Sequence, residues 1–103
     1  SVFGVIEKLA KQAGPYDRVS VGFPGVVRDG VTRSAPNLDA GWTNFPLAEK
    51  LSQKLDKPVR AANDAVVQGL ASVSGRGIEL VLTLGTGLGA SLFLQGRPLP
   101  TFE

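Results

Sequence analysis

At 103 residues the chain is one domain's length or a piece of something larger, and its 43% apolar and 19% charged residues exclude wholesale disorder. With neither cysteine nor histidine it can hold no disulfide, no thiolate nucleophile, no Cys-based metal site and no His-dependent triad, and no metal ligands are assigned. A formal net charge of +2 fits either a polyanion partner or ordinary solvated lysines. No apolar run reaches about 18 residues and no signal peptide is present, so the expected location is cytoplasmic, with no membrane partner.

Residues 2–13 place Val2, Ile6, Leu9 and Ala10 on one face and Glu7, Lys8 and Lys11 on another, which predicts an amphipathic helix ended by Gly14-Pro15. The helix has no lead-in, which fits either a natural protein that begins earlier or a simple N-terminal helix. Arg18 to Phe23 reads as a strand. The Pro24-Gly25 pair favours a type II turn with glycine at positive φ, a turn that also lets backbone approach a ligand. Val26-Val27 and Val31-Thr32 flank Asp29-Gly30, the signal of a hairpin with a type I′ turn. Residues 34–44 read as a loop carrying the only tryptophan, Trp42, which either lines a ligand cleft or anchors the loop.

Phe45 to Leu55 predicts a helix with Asn44 as N-cap, Pro46 in the first turn, and Leu47, Leu51 and Leu55 on one face. Val59 to Ala62 reads as a short strand, and Asp64 to Val73 as a helix with Val67, Leu70 and Ala71 inward. Ser74-Gly75-Arg76-Gly77 is a hinge-like break. Ile78 to Leu84 is a nearly continuous apolar strand, as expected where both faces are buried. Ala90 to Leu94 is a second strand, closed by Gln95-Gly96-Arg97-Pro98. The order α-β-β-β-α-β-α-β-β argues for an α/β architecture. The break at 74–77 predicts a boundary at which the chain enters a new sheet, and the open sheet edge predicts that something follows Glu103.

Two stretches can carry chemistry. Asp64 follows a strand and opens a helix, so the helix N-terminus favours its carboxylate, and the carboxyl end of a strand is where α/β proteins bind ligands. It can act as a general base towards a substrate hydroxyl, with Asn63 hydrogen-bonding a polyol. An Asn-Asp pair is also a good helix cap. Gly85-Thr86-Gly87-Leu88-Gly89-Ala90 supports three readings: a dinucleotide fingerprint, a structural hairpin turn, and a phosphate-binding turn with Thr86 as hydroxyl donor. The fingerprint needs a following helix, which Ala90 to Leu94 is too short and too β-like to supply. Glu103 on its own reads as a solvated terminal carboxylate.

Four spaced motifs then coincide: Val21-Gly22-Phe23-Pro24-Gly25-Val26-Val27; Ala35-Pro36-Asn37-Leu38 with Gly41-Trp42; Asn63-Asp64-Ala65; and Leu82-Thr83-Leu84-Gly85-Thr86-Gly87-Leu88-Gly89. Their order resembles the repressor/open-reading-frame/kinase (ROK) family of sugar kinases, and within it the polyphosphate/ATP glucokinases, from about residue 18 to the end. The resemblance implies an actin-like ATPase (ribonuclease H-like) fold of two α/β lobes. Residues 1–75 would form the C-terminal part of the first lobe, and 76–103 the opening β-hairpin of the second. It implies Asp64 as the catalytic base for the 6-hydroxyl of glucose. Asn63, Asn37, Gly25 and Glu103 would bind the sugar, Glu103 matching the first residue of the family's Glu-x-Gly-His motif. Gly85, Thr86 and Gly87 would bind phosphate.

The implied co-substrates are glucose or a related hexose and Mg²⁺ with ATP or polyphosphate. The implied full-length protein is a homodimer, with no nucleic-acid partner expected. Several family features are absent: the Asp-x-Gly-Gly-Thr phosphate loop, the motif histidine, the Cys-rich zinc segment and the adenine-binding half. Ser72 stands where the family usually has Glu. The chain therefore resembles the middle third of a kinase and is expected to be inactive alone. Two other readings are a sugar-sensing domain of a family repressor, and a standalone module whose sheet edges pair between chains.

Overall fold

β1 (Arg18–Phe23) occupies the middle of the molecule, and its alternation explains why. Val19, Val21 and Phe23 point to one side of the sheet, Ser20 and Gly22 to the other, and all five are buried. A computed structural model describes residues 2–34, 40–73, 77–84, 88–94 and 97–98. β1 pairs in parallel with β4 (Val59–Asn63) on one side and with β5 (Ile78–Thr83) on the other. β6 (Gly89–Leu94) runs antiparallel to β5, and β7 (Arg97–Pro98) antiparallel to β6, giving the sheet order β4-β1-β5-β6-β7.

The larger core lies on the face reached by Val19, Val21 and Phe23. There α1 (Val2–Ala13) buries Ile6 and Ala10, and α2 (Leu47–Leu55) buries Leu47 and Leu51, against Leu80, Leu82, Leu84 and Leu92. On the opposite face α3 (Asp64–Val73) packs on β1, β4 and β5, with Val67 buried against Val81, Ala62 and Phe93. None of the described helices is long and apolar enough to cross a membrane.

The predicted hairpin is β2 (Val26–Arg28) with β3 (Val31–Ser34), and both residues of its loop, Asp29 at φ 52° and Gly30 at φ 79°, take the positive values of a type I′ turn. Thr32 of β3 is fully buried and binds the chain on both sides of the predicted loop. It bridges to Phe45, whose N–H donates to the Thr32 Oγ1 at 3.2 Å, and its hydroxyl reaches the Trp42 carbonyl.

Several expectations need correction. Gly25 is not at positive φ; its N–H donates to the Phe23 carbonyl at 2.9 Å, a three-residue turn centred on Pro24, whose ring fixes a suitable φ. Asn44 does not cap α2. It sits at φ 55°, its Oδ1 accepts from an Arg33 guanidinium N–H at 3.0 Å, and the helix starts later, with Pro46 in the cap position. The bonds from Thr32 to Phe45 hold this stretch away from a helical start. Residues 40–42 form a 3-10 turn inside the predicted loop. β5 does not begin a new sheet; it adds to β1, and β7 extends β6 beyond the two strands expected. Leu70 is half-buried, while the side chain of Ala71 and the break at 74–76 lie outside the described residues.

One polar cluster interrupts the second face. Glu79, 0% exposed, accepts from Arg18 Nε at 3.2 Å, from an Arg60 guanidinium N–H at 3.1 Å and from the Ser20 hydroxyl, while Arg60 Nε donates to Ser20 Oγ at 2.6 Å. These four side chains span three adjacent parallel strands. The carboxylate is the member that depends on its partners, because the two arginine side chains keep 26% and 42% exposure and can turn to water. Replacing Arg18 and Arg60 together by methionine should therefore cost about 3–5 kcal/mol in urea denaturation, and Glu79→Gln should cost distinctly less. The reverse order would mean that the carboxylate is not held by this pair.

Tyr16, between α1 and β1, is half-buried with Lys57 Nζ 5.6 Å from its ring centre. Burial raises the phenol above its ordinary value of 10.0. Folding then favours the protonated phenol, so this contribution to stability is fully present below about pH 10 and is lost as pH rises through the raised value. Thermal melts above pH 10 should show a fall in wild type that is smaller in Tyr16→Phe.

Candidate functional site

Three parallel strands end together at one rim of the sheet. The last residues of β1 and β4, Phe23 and Asn63, are register partners, and Leu84, just beyond β5, donates its N–H to the Gly22 carbonyl at 2.9 Å. Asp64 follows Asn63 directly as the first residue of α3. The carboxyl ends of parallel strands are the usual ligand rim of an α/β sheet.

Asn63 is half-buried and fixed at both ends of its amide. Its Nδ2 donates to the Gly25 carbonyl at 3.2 Å, and its Oδ1 accepts the Ala65 N–H at 3.0 Å. Asp64 Oδ1 accepts the same N–H at 2.8 Å. Both side chains thus cap α3, and the asparagine also ties the turn after β1 to the helix start. Asp64 Oδ2 accepts no hydrogen bond from the described residues, so half of its carboxylate is available to a ligand. The three sequence-predicted residues Gly25, Asn63 and Asp64 are brought together. Asn37, Gly85, Thr86, Gly87 and Glu103 lie outside the described residues. Leu84, the last described residue before the 85–87 segment, lies at the Asp64 rim.

Trp42 anchors its loop. Its ring lies 5.4 Å from Phe23 and 5.5 Å from Phe45, and the Phe45 ring lies 5.8 Å from Phe3 on α1. This aromatic row backs the rim from the side of the larger core.

Sequence reasoning passed over Gly22. A Cβ built there would lie 2.9 Å from the Asp64 Cα and 3.2 Å from the Asp64 Cβ. A lone glycine inside the apolar strand Val19 to Phe23 was the available signal of a close backbone approach. The described residues contain no group of three carboxylate, histidine or cysteine side chains able to hold a metal. Asp64 is the carboxylate at this rim, so a Mg²⁺ ion there would take most of its ligands from phosphate and water, the usual way it accompanies a phosphate donor.

A mixed sheet covered by helices on both faces, with an acid opening one helix at its rim, defines an α/β lobe. The sequence pattern of the ROK family matches residues 1–100, and the chain belongs to that family. It is 34% identical to the polyphosphate glucokinase of Mycobacterium leprae and 33% identical to that of Mycobacterium tuberculosis, each over 110 aligned positions that take in the whole chain. It spans 34% and 42% of the lengths of those two proteins.

Among solved structures it is similar to an inorganic polyphosphate/ATP-glucomannokinase from Arthrobacter, with a TM-score of 0.61 and 32% identity, covering 98% of this chain and 45% of that one. It is also similar to a ROK family glucokinase from Streptomyces griseus crystallised with glucose and AMPPNP, with a TM-score of 0.53 and 27% identity, covering 93% of this chain and 34% of that one. These matches bear out the expected class, part of an actin-like ATPase fold.

The capping geometry generates a prediction. Asn63→Ala removes the tether to Gly25 and one acceptor for the Ala65 N–H, at a cost of about 1 kcal/mol. In a chain this size that lowers the melting temperature by roughly 4–8 °C. The Gly25 amide resonance should move with it; an unmoved Gly25 would show that the tether does not form in solution.

Proposed function

We propose that the chain is part of a glucokinase-like sugar kinase that transfers a phosphoryl group from ATP or polyphosphate to the 6-hydroxyl of glucose. The observation that carries this reading is the state of Asp64. One carboxylate oxygen accepts the Ala65 N–H in the first turn of α3, the other accepts no hydrogen bond from the described residues, and Asp64 opens its helix at the rim where β1, β4 and β5 end. Family membership and the names of the relatives support the same reading.

In this mechanism Asp64 Oδ2 accepts the proton of the sugar hydroxyl as that oxygen attacks the terminal phosphorus. The bond from phosphorus to the leaving phosphate oxygen breaks, releasing ADP or a polyphosphate shortened by one unit. Asn63, held by Gly25 and Ala65, keeps one amide hydrogen for a sugar hydroxyl. Backbone N–H groups of 85–87 and the Thr86 hydroxyl take up phosphate charge, and Asn37 and Glu103 complete the sugar contacts. Mg²⁺ arriving with the donor shields the phosphate oxygens. Positioning dominates such a transfer, so a base held by the Ala65 N–H at the helix start suits it.

In a longer protein we assign residues 1–75 to the end of the first lobe and 76–103 to the opening of the second, although in this chain β5 of that segment lies beside β1 in one sheet. The remaining donor and sugar contacts would come from chain beyond these residues. The 103-residue chain alone is then expected to turn over no glucose.

The test is titration of the isotope-labelled chain with glucose, then with ATP or tripolyphosphate plus Mg²⁺. Amides of Asn63, Asp64 and Ala65 should shift with glucose, and those of 85–87 with the phosphate compound. A folded chain with no response at either place would favour an assembly module or a fragment too incomplete to bind, and the full-length variant then decides. In a full-length protein carrying this chain, Asp64→Asn should lower kcat by about 10²–10⁴-fold with little change in the KM for glucose.

A further inference from the structure

We infer that Gly22 is a positioning residue for Asp64: the absence of a side chain there sets how deeply the first turn of α3 seats on the sheet. The inference rests on the reading of Asp64 as the base, but its geometry stands apart from that reading. A Cβ at residue 22 would meet the Asp64 Cα at 2.9 Å, the Asp64 Cβ at 3.2 Å and the Val67 Cβ at 3.6 Å. The nearest atom is backbone, which cannot swing aside as the end of a long side chain can.

Space alone makes this demand. The φ of Gly22 is not in the left-handed region, so its backbone would accept any residue. Its partner in β4 is Ala62, another small residue, and together they form a low floor beneath the helix start. Gly69 gives the contrast: it lies in the same helix, and a Cβ there would meet nothing within 4 Å.

Gly22 also faces the other half of the site. Its carbonyl accepts the Leu84 N–H at 2.9 Å, one residue before the Gly85-Thr86-Gly87 segment, and its register partner in β5 is Thr83. One residue therefore touches the proposed base on one side and the approach to the proposed phosphate turn on another. A methyl group at 22 would lift Asp64 and Ala65, strain the bond to Leu84, and change the spacing between base and phosphate. Transfer chemistry is sensitive to such shifts, a misplacement of about 1 Å costing on the order of 100-fold in rate.

The experiment uses the labelled 103-residue chain and three variants. Gly22→Ala should shift the Asp64, Ala65 and Leu84 amides together and lose the glucose response at Asn63 and Asp64. Val67→Ala, which weakens the packing of α3 without filling the gap, should lower the melting temperature while leaving the Leu84 amide and the glucose response in place. Gly69→Ala should leave the Asp64, Ala65 and Leu84 amides and the glucose response unchanged while raising the melting temperature, since alanine favours a helix over glycine.

Gly22→Ala with unmoved Asp64 and Ala65 amides would overturn the inference, as would a Val67→Ala variant that reproduces every effect. A wild-type chain deaf to glucose would bear on the kinase reading alone, since the amide displacements still decide the role of Gly22. If Gly22→Ala does not fold, wild-type hydrogen exchange decides. The Ala65 and Leu84 amides should open together across a denaturant series, and independent opening would refute the coupling.

Discussion

The first turn of α3 lies against β1 at a separation that a single methyl group would exclude. That contact is possible because Gly22 interrupts a strand whose other buried members are Val19, Ser20, Val21 and Phe23. A strand side chain normally holds a covering helix about 10 Å from the sheet axis. With no side chain at Gly22, the first residue of the helix comes within contact distance of the strand. The remaining features of the rim depend on this seating. Asn63 reaches both the Gly25 carbonyl and the Ala65 N–H only if the turn after β1 and the start of α3 stand close together.

The two faces of β1 divide the work between them. One face presents Val19, Val21 and Phe23 to α1 and α2 and supplies most of the hydrophobic stabilisation. The other presents Arg18, Ser20 and Gly22. At the rim end that face is hollowed for the site. At the far end Ser20 and Arg18 join Arg60 and Glu79 in a buried charged cluster across three strands. A register slip of one residue would send Ser20 into the apolar core and would separate Glu79 from both arginines. The cluster thus specifies the register that brings Phe23, Asn63 and Leu84 to one level, whatever its net contribution to stability.

Much of the fold was legible because local and tertiary preferences agree along most of the chain. α1, β1, the Asp29-Gly30 hairpin and α3 follow from periodicity and turn chemistry alone. The departures occur where a long-range bond overrides a local preference. Asn44 has the chemistry of a cap, yet Thr32, far along the chain, claims Phe45 and delays the helix. Glu79 reads as an irregularity in an apolar run, because nothing local announces Arg18 and Arg60. Strand pairing was the least legible feature: an apolar run fits equally well as the start of a new sheet or as the neighbour of β1. The pair Asn63-Asp64 was legible as a candidate site, whereas the glycine that seats it was visible only as an oddity within a strand.

Capping and catalysis were opposed readings of Asn63 and Asp64, and the geometry is compatible with both at once. A general base is useful when its carboxylate is held in one orientation before the substrate arrives. The Ala65 N–H performs that task by accepting nothing and donating to both Asn63 Oδ1 and Asp64 Oδ1. The bonds that make the pair a good cap occupy the Asn63 Oδ1 and one Asp64 oxygen, and leave Asp64 Oδ2 without a hydrogen bond from the described residues. The same capping bonds would form in a protein with no catalytic role, so they cannot by themselves separate a base from a cap. What separates them is the company the carboxylate keeps: a shared rim of three parallel strands, a floor cleared of side chains beneath it, and membership of the ROK family. Seen this way, the helix start is the device that converts an ordinary surface aspartate into a fixed one.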